Sequence, residues 1–264
     1  MRLVLVYHLV DLPGWEAIAA RQVDLLASSG LLDALTEAHL LLHYDERSFD
    51  WLRARLAGRA NVRFTFDPNV LPEEAEVPSV SFLRDVAAGP GEAAIAYIHM
   101  KGVTRPGDRP AADWARFMEY SVVERWRDCV ARLEAGADTC GVNFRFRPYP
   151  MYAGNFWWTR ASHARALMPL RRPSEAGWVA QVSGQTWEAR YDAEAWVLSG
   201  TGSHVSLDTS PVRDSPAFHY KNPYPPEAYR GRPVTEFRFT TRDGRLTAAS
   251  RLRWALAKRL GPRR

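Results

Sequence analysis

Cysteine is scarce in this sequence. Cys129 and Cys140 are the only two, and they form no CxxC pair. The first residues, MRLVLVYHLVDLPG, lack the apolar segment and cleavage site of a secretory leader. No run reaches the length of about 20 apolar residues that a membrane-spanning helix needs. We expect a reducing, cytoplasmic location, with the protein soluble or peripheral at the inner face of a membrane.

Several catalytic motifs are also missing. The sequence contains no HExxH, GxSxG, GxxxxGK[ST] or tight CxxC/H cluster, which argues against zinc proteases, serine hydrolases and P-loop enzymes. The Rossmann dinucleotide fingerprint is absent as well. The glycines of GPGEAA precede a predicted strand rather than a helix, so this segment is interpreted as a turn.

Acidic residues are absent from the C-terminal segment, which explains the net charge of +5. Residues 245–264 hold seven Lys and Arg residues, and the rest of the chain has 28 basic and 30 acidic residues. This segment is the only feature that favours nucleic-acid binding, so nucleic acid is not expected as a partner. In the segment, Leu252, Ala255, Leu256 and Leu260 form one helical stripe beside Trp254. Two interpretations stay open: a helix packed on its own domain, or an interfacial helix on anionic lipid.

Strand and helix patterns alternate through the first hundred residues. Apolar, β-branched segments predict strands at 2–10, 38–45, 61–68 and 93–99, and helical periodicity predicts helices at 15–35, 48–58 and 78–89. This order predicts an α/β fold with a mostly parallel central sheet flanked by helices.

In such sheets, ligands bind beyond the carboxyl ends of the strands. We therefore expect one rim to contain the residues that end three of these strands: Tyr7, His8, Tyr44, Asp45 and the segment from His99 to Lys101. Farther along, the sequence predicts one long amphipathic helix at 113–136, strands at 139–144 and 152–158, short helices at 162–167 and 190–200, and an irregular segment from Asp208 onward.

Three groups of residues are candidates for chemistry. His99 and Lys101 lie two apart at a strand end, where a cationic pair suits a phosphate; a helix-capping lysine and a structural histidine are the alternative. In AGNFWWTRAS, Asn155 and Trp157 share one strand side and Trp158 faces the other, so packing competes with sugar stacking.

The third group is acidic. Asp192 and Glu194 lie near the start of a predicted helix, where carboxylates are stabilised, and they point to different helix faces. One of them facing a cleft would suit a general base, and an ion pair with Arg190 is the alternative.

Three motifs in this order, YIHMKGVT, GNFWWTRASHARALMPL and RYDAEAWV, resemble those of a group of bacterial glycosyltransferase-like proteins. The resemblance covers about residues 1 to 200 and implies a GT-A-like fold, with a nucleotide-binding half at 1–110 and an acceptor-binding half at 111–225. Beyond the resemblance, we expect a C-terminal extension with a basic amphipathic helix at 226–264. It implies transfer of a sugar from a UDP-, GDP- or dTDP-linked donor to a glycan, lipid-linked or small-molecule acceptor.

The resemblance also implies roles for the candidate residues. Glu194, Lys101 and His99 are expected to be catalytic. The expected donor-binding residues are Tyr7, His8, Asp45, His99, Lys101 and Asn155, and the expected acceptor-binding residues are Trp157, Trp158 and Asp192. A non-catalytic module that binds a nucleotide sugar or glycan is the alternative function.

The sequence departs from the wider GT-A pattern at one position. Most such enzymes carry Asp-x-Asp after the fourth strand to hold a divalent metal ion, and here that position is His99, Met100, Lys101. We expect Lys101 to balance the charge of the leaving diphosphate in place of a metal. No metal ligand is assigned, and the need for a divalent ion stays open.

Overall fold

A twisted β-sheet is the framework on which every other element packs. The structure of the protein, a computed structural model, describes residues 1–67, 70, 74–170, 189–208 and 218–260. The strands are β1 Arg2–Val10, β2 Glu37–His43, β3 Val62–Asp67, β4 Ala93–His99, β5 Thr139–Val142, β6 Phe144–Arg145, β7 Met151–Tyr152, β8 Trp157–Arg160, β9 Gly202–Leu207, β10 Glu236–Arg242 and β11 Arg245–Leu246.

Helices fill the connections between these strands. They are α1 Trp15–Ser28, α2 Leu31–Ala34, α3 Asp50–Arg55, α4 Val77–Ala88, α5 Arg109–Glu119, α6 Trp126–Glu134, α7 Ala161–Ala166, α8 Ala189–Trp196, α9 Phe218–Lys221 and α10 Ala248–Leu260. Short 3₁₀ turns occupy Glu46–Phe49 and Pro226–Ala228. Among the described residues, no helix has the length and apolar character needed to cross a bilayer.

The described strands form a nine-stranded sheet in the order β11-β10-β9-β5-β8-β4-β1-β2-β3, and β6 pairs with β7 separately. Strands β4, β1, β2 and β3 are mutually parallel, and β8 runs antiparallel between β4 and β5. The predicted α/β class, with a mostly parallel sheet flanked by helices, is thus confirmed. The carboxyl ends of β1, β2 and β4 meet at one edge, because parallel neighbours end on the same side.

Two apolar cores cover the two faces of the sheet. One packs Leu5 and Tyr7 of β1 against α1, α2, α5 and α6. The other packs Val4 and Val6 of the same strand against α4, α7, α8 and α10. Because side chains alternate along a strand, a β1 that is apolar from Leu3 through Tyr7 serves both cores.

The predicted long helix at 113–136 is divided in two. A π-helical turn, Tyr120–Glu124, separates α5 from α6, with the Arg125 amide donating to the Tyr120 carbonyl over 3.1 Å. Ser121 Oγ donates to the Phe117 carbonyl over 3.1 Å, which competes with regular helical hydrogen bonding at this point. The apolar stripe of the predicted helix stays buried on both sides of the turn: Trp114, Phe117, Met118, Val122, Trp126, Val130 and Leu133.

The C-terminal segment differs from the sequence expectation. Where an irregular segment was predicted from Asp208 onward, β10 pairs antiparallel with β9, and β11 pairs with β10. The alternating EFRFTTR pattern is typical of a strand with one buried face. Strands β10 and β11, which belong to the predicted extension at 226–264, are therefore part of the central sheet.

Candidate functional site

A cavity of 590 Å³ opens beyond the carboxyl ends of β1, β2 and β4. Its walls come from these strand ends, the start of α4, the β7–β8 turn and α8. Its lining includes His8, Tyr44, Glu76, His99, Lys101, Arg105, Trp114, Gly154 and Glu194. The predicted rim thus contributes His8, Tyr44, His99 and Lys101 to one cavity.

The end of β4 turns sharply so that Lys101 leaves the core. The Lys101 amide donates to the His99 carbonyl over 2.9 Å, Met100 is buried, and Gly102 adopts a φ of 90° that favours glycine. Lys101 Nζ lies 4.0 Å from the centroid of the Trp114 ring, a cation–π contact that holds the ammonium group at the cavity. The same loop borders a second cavity of 830 Å³ between α1 and α5.

His99 is held by protein atoms on both sides of its ring. Nε2 lies 2.8 Å from the Gly154 carbonyl, which only accepts, so Nε2 carries the hydrogen. Nδ1 lies 3.4 Å from Glu76 Oε1. Burial lowers the pKa of His99; Glu76 opposes this shift and Lys101 adds to it. With its Nε2 hydrogen already donated to Gly154, His99 does not offer that hydrogen to a phosphate as the sequence had suggested.

Glu76, just before α4, has a carboxylate fixed by hydrogen bonds. Its Oε2 accepts from Tyr97 Oη over 3.0 Å and from Asn155 Nδ2 over 2.5 Å. Asn155 Oδ1 in turn accepts from Trp157 Nε1 over 2.6 Å. Asn155 is fully buried, and both the oxygen and the nitrogen of its side-chain amide are hydrogen-bonded within the protein. It was predicted to bind the donor, but in the structure it supports Glu76.

The two adjacent tryptophans of the GNFWW motif are in the two cores. Both Trp157 and Trp158 have no exposed surface. Trp157 stacks on Tyr97 at 5.1 Å between ring centroids, and Trp158 donates from Nε1 to the Val122 carbonyl over 2.9 Å on the opposite face. Because β8 lies inside the sheet and is covered on both faces, the structure gives neither tryptophan the acceptor-binding position that the resemblance implied.

Gly154 occupies a position that no other residue fits easily. It has a φ of +91°, and a Cβ built there would lie 2.3 Å from Met118 Sδ. Asn155 follows with a φ of 60°. Two consecutive residues in the left-handed region reverse the chain between β7 and β8, which brings the Gly154 carbonyl to His99 and the Asn155 amide to Glu76.

A pair of histidines, His8 and His43, meets at Ser79 of α4. His8 Nδ1 and His43 Nε2 lie 2.8 Å and 3.1 Å from Ser79 Oγ, and the two rings are 4.7 Å apart. Burial lowers the pKa of His8 well below its ordinary value and lowers that of His43 to about 4, against the opposing effect of Asp67. Both rings are neutral at pH 7, and His8 lines the cavity as predicted.

Two predicted donor-binding residues lie elsewhere. Tyr7 is fully buried and donates from Oη to Gln22 in the core beneath α1, because odd positions of β1 face that side. Asp45 is exposed, and its Oδ1 accepts from the Arg47 amide over 3.0 Å to begin the 3₁₀ turn. In its place, the neighbouring Tyr44 lines the cavity.

The two acids of α8 separate as the sequence predicted. Glu194 lines the cavity, while Asp192 is buried and lies outside the lining residues named for that cavity. The predicted partner of these acids, Arg190, has a side chain outside the described residues. Within the described parts of the chain, no group of three or more His, Cys, Asp or Glu side chains has an arrangement that could hold a metal ion.

One comparison bears on these elements. Residues 88–229 match the model of a family described as a domain of unknown function, DUF8361, over more than half of the chain. The chain belongs to the DUF8361 family. A search of curated proteins found no match.

The DUF8361 match covers one side of the cavity. It contains the end of β4, the β7–β8 turn and α8, which supply Lys101, Gly154 and Glu194. Strands β1 to β3, with His8 and Glu76, precede the matched residues. The segment that defines the DUF8361 family therefore meets the preceding strands at this cavity.

Sequence reasoning missed Glu76 and Arg105 in this DUF8361 chain. A usable signal existed for Glu76, which is the last acid before the α4 pattern, on the connection that follows the third strand. Arg105 lies only four residues beyond Lys101, in the loop that begins at the cavity. The hydrogen bonds to Glu76 come from residues 21 and 79 positions away, and no local pattern reports such contacts.

Proposed function

We propose that this protein is a glycosyltransferase that moves a sugar from a nucleotide-activated donor to an acceptor hydroxyl. The observation that carries the proposal is the position of Lys101 at the carboxyl end of β4, in a cavity that also contains Glu194. A cation and a carboxylate in one cavity suit a reaction with an anionic leaving group and a hydroxyl nucleophile. The cavity volume lies in the range typical of small-molecule sites.

The sheet supports a GT-A-like arrangement. The parallel strands β4, β1, β2 and β3 would hold the nucleotide at their carboxyl ends, in the half of the chain before α5. The later half adds β8 beside β4 and brings α8 to the same cavity, where an acceptor would bind.

Each residue then has a defined part in the transfer. The acceptor oxygen attacks the anomeric carbon, and the bond from that carbon to the diphosphate oxygen breaks with its electron pair leaving on the diphosphate. Lys101, with Arg105 nearby in the same lining, balances the growing negative charge. Glu194 takes the acceptor proton, and attack from the face opposite the diphosphate inverts the anomeric configuration.

A panel of UDP-, GDP- and dTDP-sugars, read by release of the nucleoside diphosphate with and without EDTA, tests the proposal. Release that needs an added acceptor supports transfer, and release unchanged by EDTA supports the role given to Lys101. Tight nucleotide binding without release would point to a non-catalytic binding module instead. Absence of both binding and release across the panel would overturn the proposal.

We further propose that the outer face of α10 rests on an anionic lipid surface on the cytoplasmic side of a membrane. Trp254 packs inward on Phe144 and Phe237, whereas Leu252 and Leu256, one turn apart, are 63% and 48% exposed. The outward apolar stripe is flanked by exposed cations: Arg245, Arg251 and Arg253. Exposed apolar side chains accompanied by positive charges complement an anionic bilayer, where lipid-linked acceptors would be found.

A further inference from the structure

One oxygen of Glu76 has no hydrogen-bond donor among the described residues. Oε2 takes the hydrogen bonds from Tyr97 and Asn155, and Oε1 lies 3.4 Å from His99 Nδ1. The side chain is only 13% exposed, and what remains exposed lies at the cavity. An ionised carboxylate accepts about four hydrogen bonds, so Oε1 keeps unused capacity.

The neighbouring ring nitrogen is also an acceptor. His99 Nε2 carries the ring hydrogen for the Gly154 carbonyl, and a neutral imidazole carries only one. Burial keeps the pKa of His99 low, so the neutral form is present at pH 7. Two lone-pair atoms, His99 Nδ1 and Glu76 Oε1, therefore face each other at the cavity wall without a hydrogen between them. A donor group from a ligand would satisfy this arrangement.

The arrangement is held rigidly from behind. Trp157 donates to Asn155, and Asn155 donates to Glu76. The Tyr97 hydroxyl also donates to Glu76, and the Tyr97 ring stacks on Trp157. Each link is between residues that are fully buried, apart from Glu76 itself. A carboxylate fixed in this way loses little side-chain entropy when a ligand binds, which is the property of a preorganised recognition group.

We propose that Glu76 is a ligand-binding residue whose Oε1 accepts a hydrogen bond from a hydroxyl group of the nucleotide sugar, and that Asn155 and Trp157 position it. The identity of the ligand rests on the proposed function. The hydroxyl belongs either to the ribose or to the sugar that is transferred. A phosphate oxygen is an unsuitable partner because it would meet a carboxylate, and the cavity already places Lys101 and Arg105 for anions.

Glu76→Gln is the decisive variant. Two donors point at the Oε2 position, so the single amide oxygen of glutamine must take that place, and the amide nitrogen takes the place of Oε1. There it donates to His99 Nδ1, which preserves folding, but the ligand hydroxyl loses its charged acceptor and can only accept a weaker, neutral hydrogen bond from the amide. Titration calorimetry with nucleoside diphosphates and their sugar conjugates should show affinity lower by about ten- to a hundredfold. The thermal midpoint should not fall.

The pattern of loss identifies the hydroxyl. Equal loss for UDP and a UDP-sugar places it on the ribose, whereas loss for the UDP-sugar alone places it on the transferred sugar. Unchanged affinity for a nucleotide sugar that the wild type binds would overturn the role of Glu76 and leave the proposed function standing.

Double variants that combine a change at Asn155 or Trp157 with Glu76→Ala test whether these residues affect ligand affinity through Glu76. Asn155→Gly keeps the left-handed backbone and removes the amide, and Trp157→Phe keeps a stacked ring and removes the indole donor. Each should weaken binding severalfold in the wild type and have no further effect on affinity in a Glu76→Ala background. Trp126→Phe is the matched control, since its Nε1 donates to the Ser29 carbonyl over 3.2 Å away from the cavity and its loss should change only stability.

The experiment separates the two proposals. If the wild type binds no nucleotide but binds a free glycoside, and Glu76→Gln abolishes that binding, Glu76 keeps its role and the nucleotide-sugar function fails. Additive losses in the double variants would remove Asn155 and Trp157 from positioning. Binding of neither ligand class by the wild-type protein would overturn both proposals.

Discussion

Lys101 lies over the indole of Trp114, with Nζ 4.0 Å from the ring centroid. The contact joins the loop after β4 to α5 and keeps a positive charge at the cavity. In the proposed transfer, this positive charge at the cavity would balance the charge of the leaving diphosphate.

Lys101→Ala is expected to lower turnover with the active nucleotide sugar about a hundredfold, comparable to the loss of one preorganised electrostatic donor. Lys221→Ala is the matched control, because Lys221 is an exposed lysine that lies outside the described cavity linings. Steady-state diphosphate release measures both. Full activity of Lys101→Ala, or loss of wild-type activity in EDTA, would contradict the role given to this lysine.

Glu194→Gln should leave donor binding intact and lower transfer by about a hundredfold or more, because the amide cannot accept the acceptor proton. Asp192→Asn, in the same helix but outside the described cavity lining, should affect transfer less. Single-turnover transfer after separate measurement of donor affinity distinguishes the two steps. Transfer by Glu194→Gln at the wild-type rate would place the base elsewhere.

Stability should fall as the pH is lowered below 7. His43 takes up a proton near pH 6.5 when unfolded but near pH 4 in the folded protein, so the unfolded state binds more protons between these values. This difference removes about 2 kcal/mol of unfolding free energy between pH 7 and pH 5. Urea unfolding at both pH values should show a correspondingly smaller change in His43→Gln. An unchanged pH dependence in that variant would contradict the prediction.

Gly154→Ala should destabilise the protein by about 2 to 4 kcal/mol, since the new methyl group meets Met118 and the backbone is in the left-handed region. Gly58→Ala is the control for backbone strain alone: its φ is +82° and no atom lies within 4 Å of the added Cβ. The difference between the two variants in unfolding free energy, measured by chemical denaturation, gives the cost of the contact with Met118. Equal losses would show that the contact with Met118 relaxes without cost.

The outer face of α10 should bind anionic but not neutral vesicles, and salt should weaken the binding. Replacing both Leu252 and Leu256 with serine should reduce co-sedimentation about tenfold or more without lowering stability, since both side chains are exposed. Val234→Ser, at another exposed apolar residue, is the control. No binding of the wild type to anionic vesicles at low salt would remove the lipid surface as a partner.

The sequence by itself determined the layered α/β class. β-Branched strand segments alternate with amphipathic segments, and both periodicities are local properties of the chain. It also determined which strand ends would carry polar residues, and so the edge of the sheet where a cavity forms. It did not predict β10, whose alternating pattern follows a proline-rich stretch, or the π turn that divides α5 from α6.

Only the tertiary structure decided which side chains reach the cavity. Tyr7 and His8 are adjacent in the sequence, yet the pleat of β1 sends the first into the core and the second to the cavity. The Trp157 side chain is of a type that stacks on sugars, but apolar cores on both faces of β8 bury it. The Glu76 carboxylate is held by hydrogen bonds from Tyr97 and Asn155, which lie in distant parts of the chain. Local periodicity records which face of an element is apolar, whereas the neighbours that a polar group meets depend on how separate elements pack.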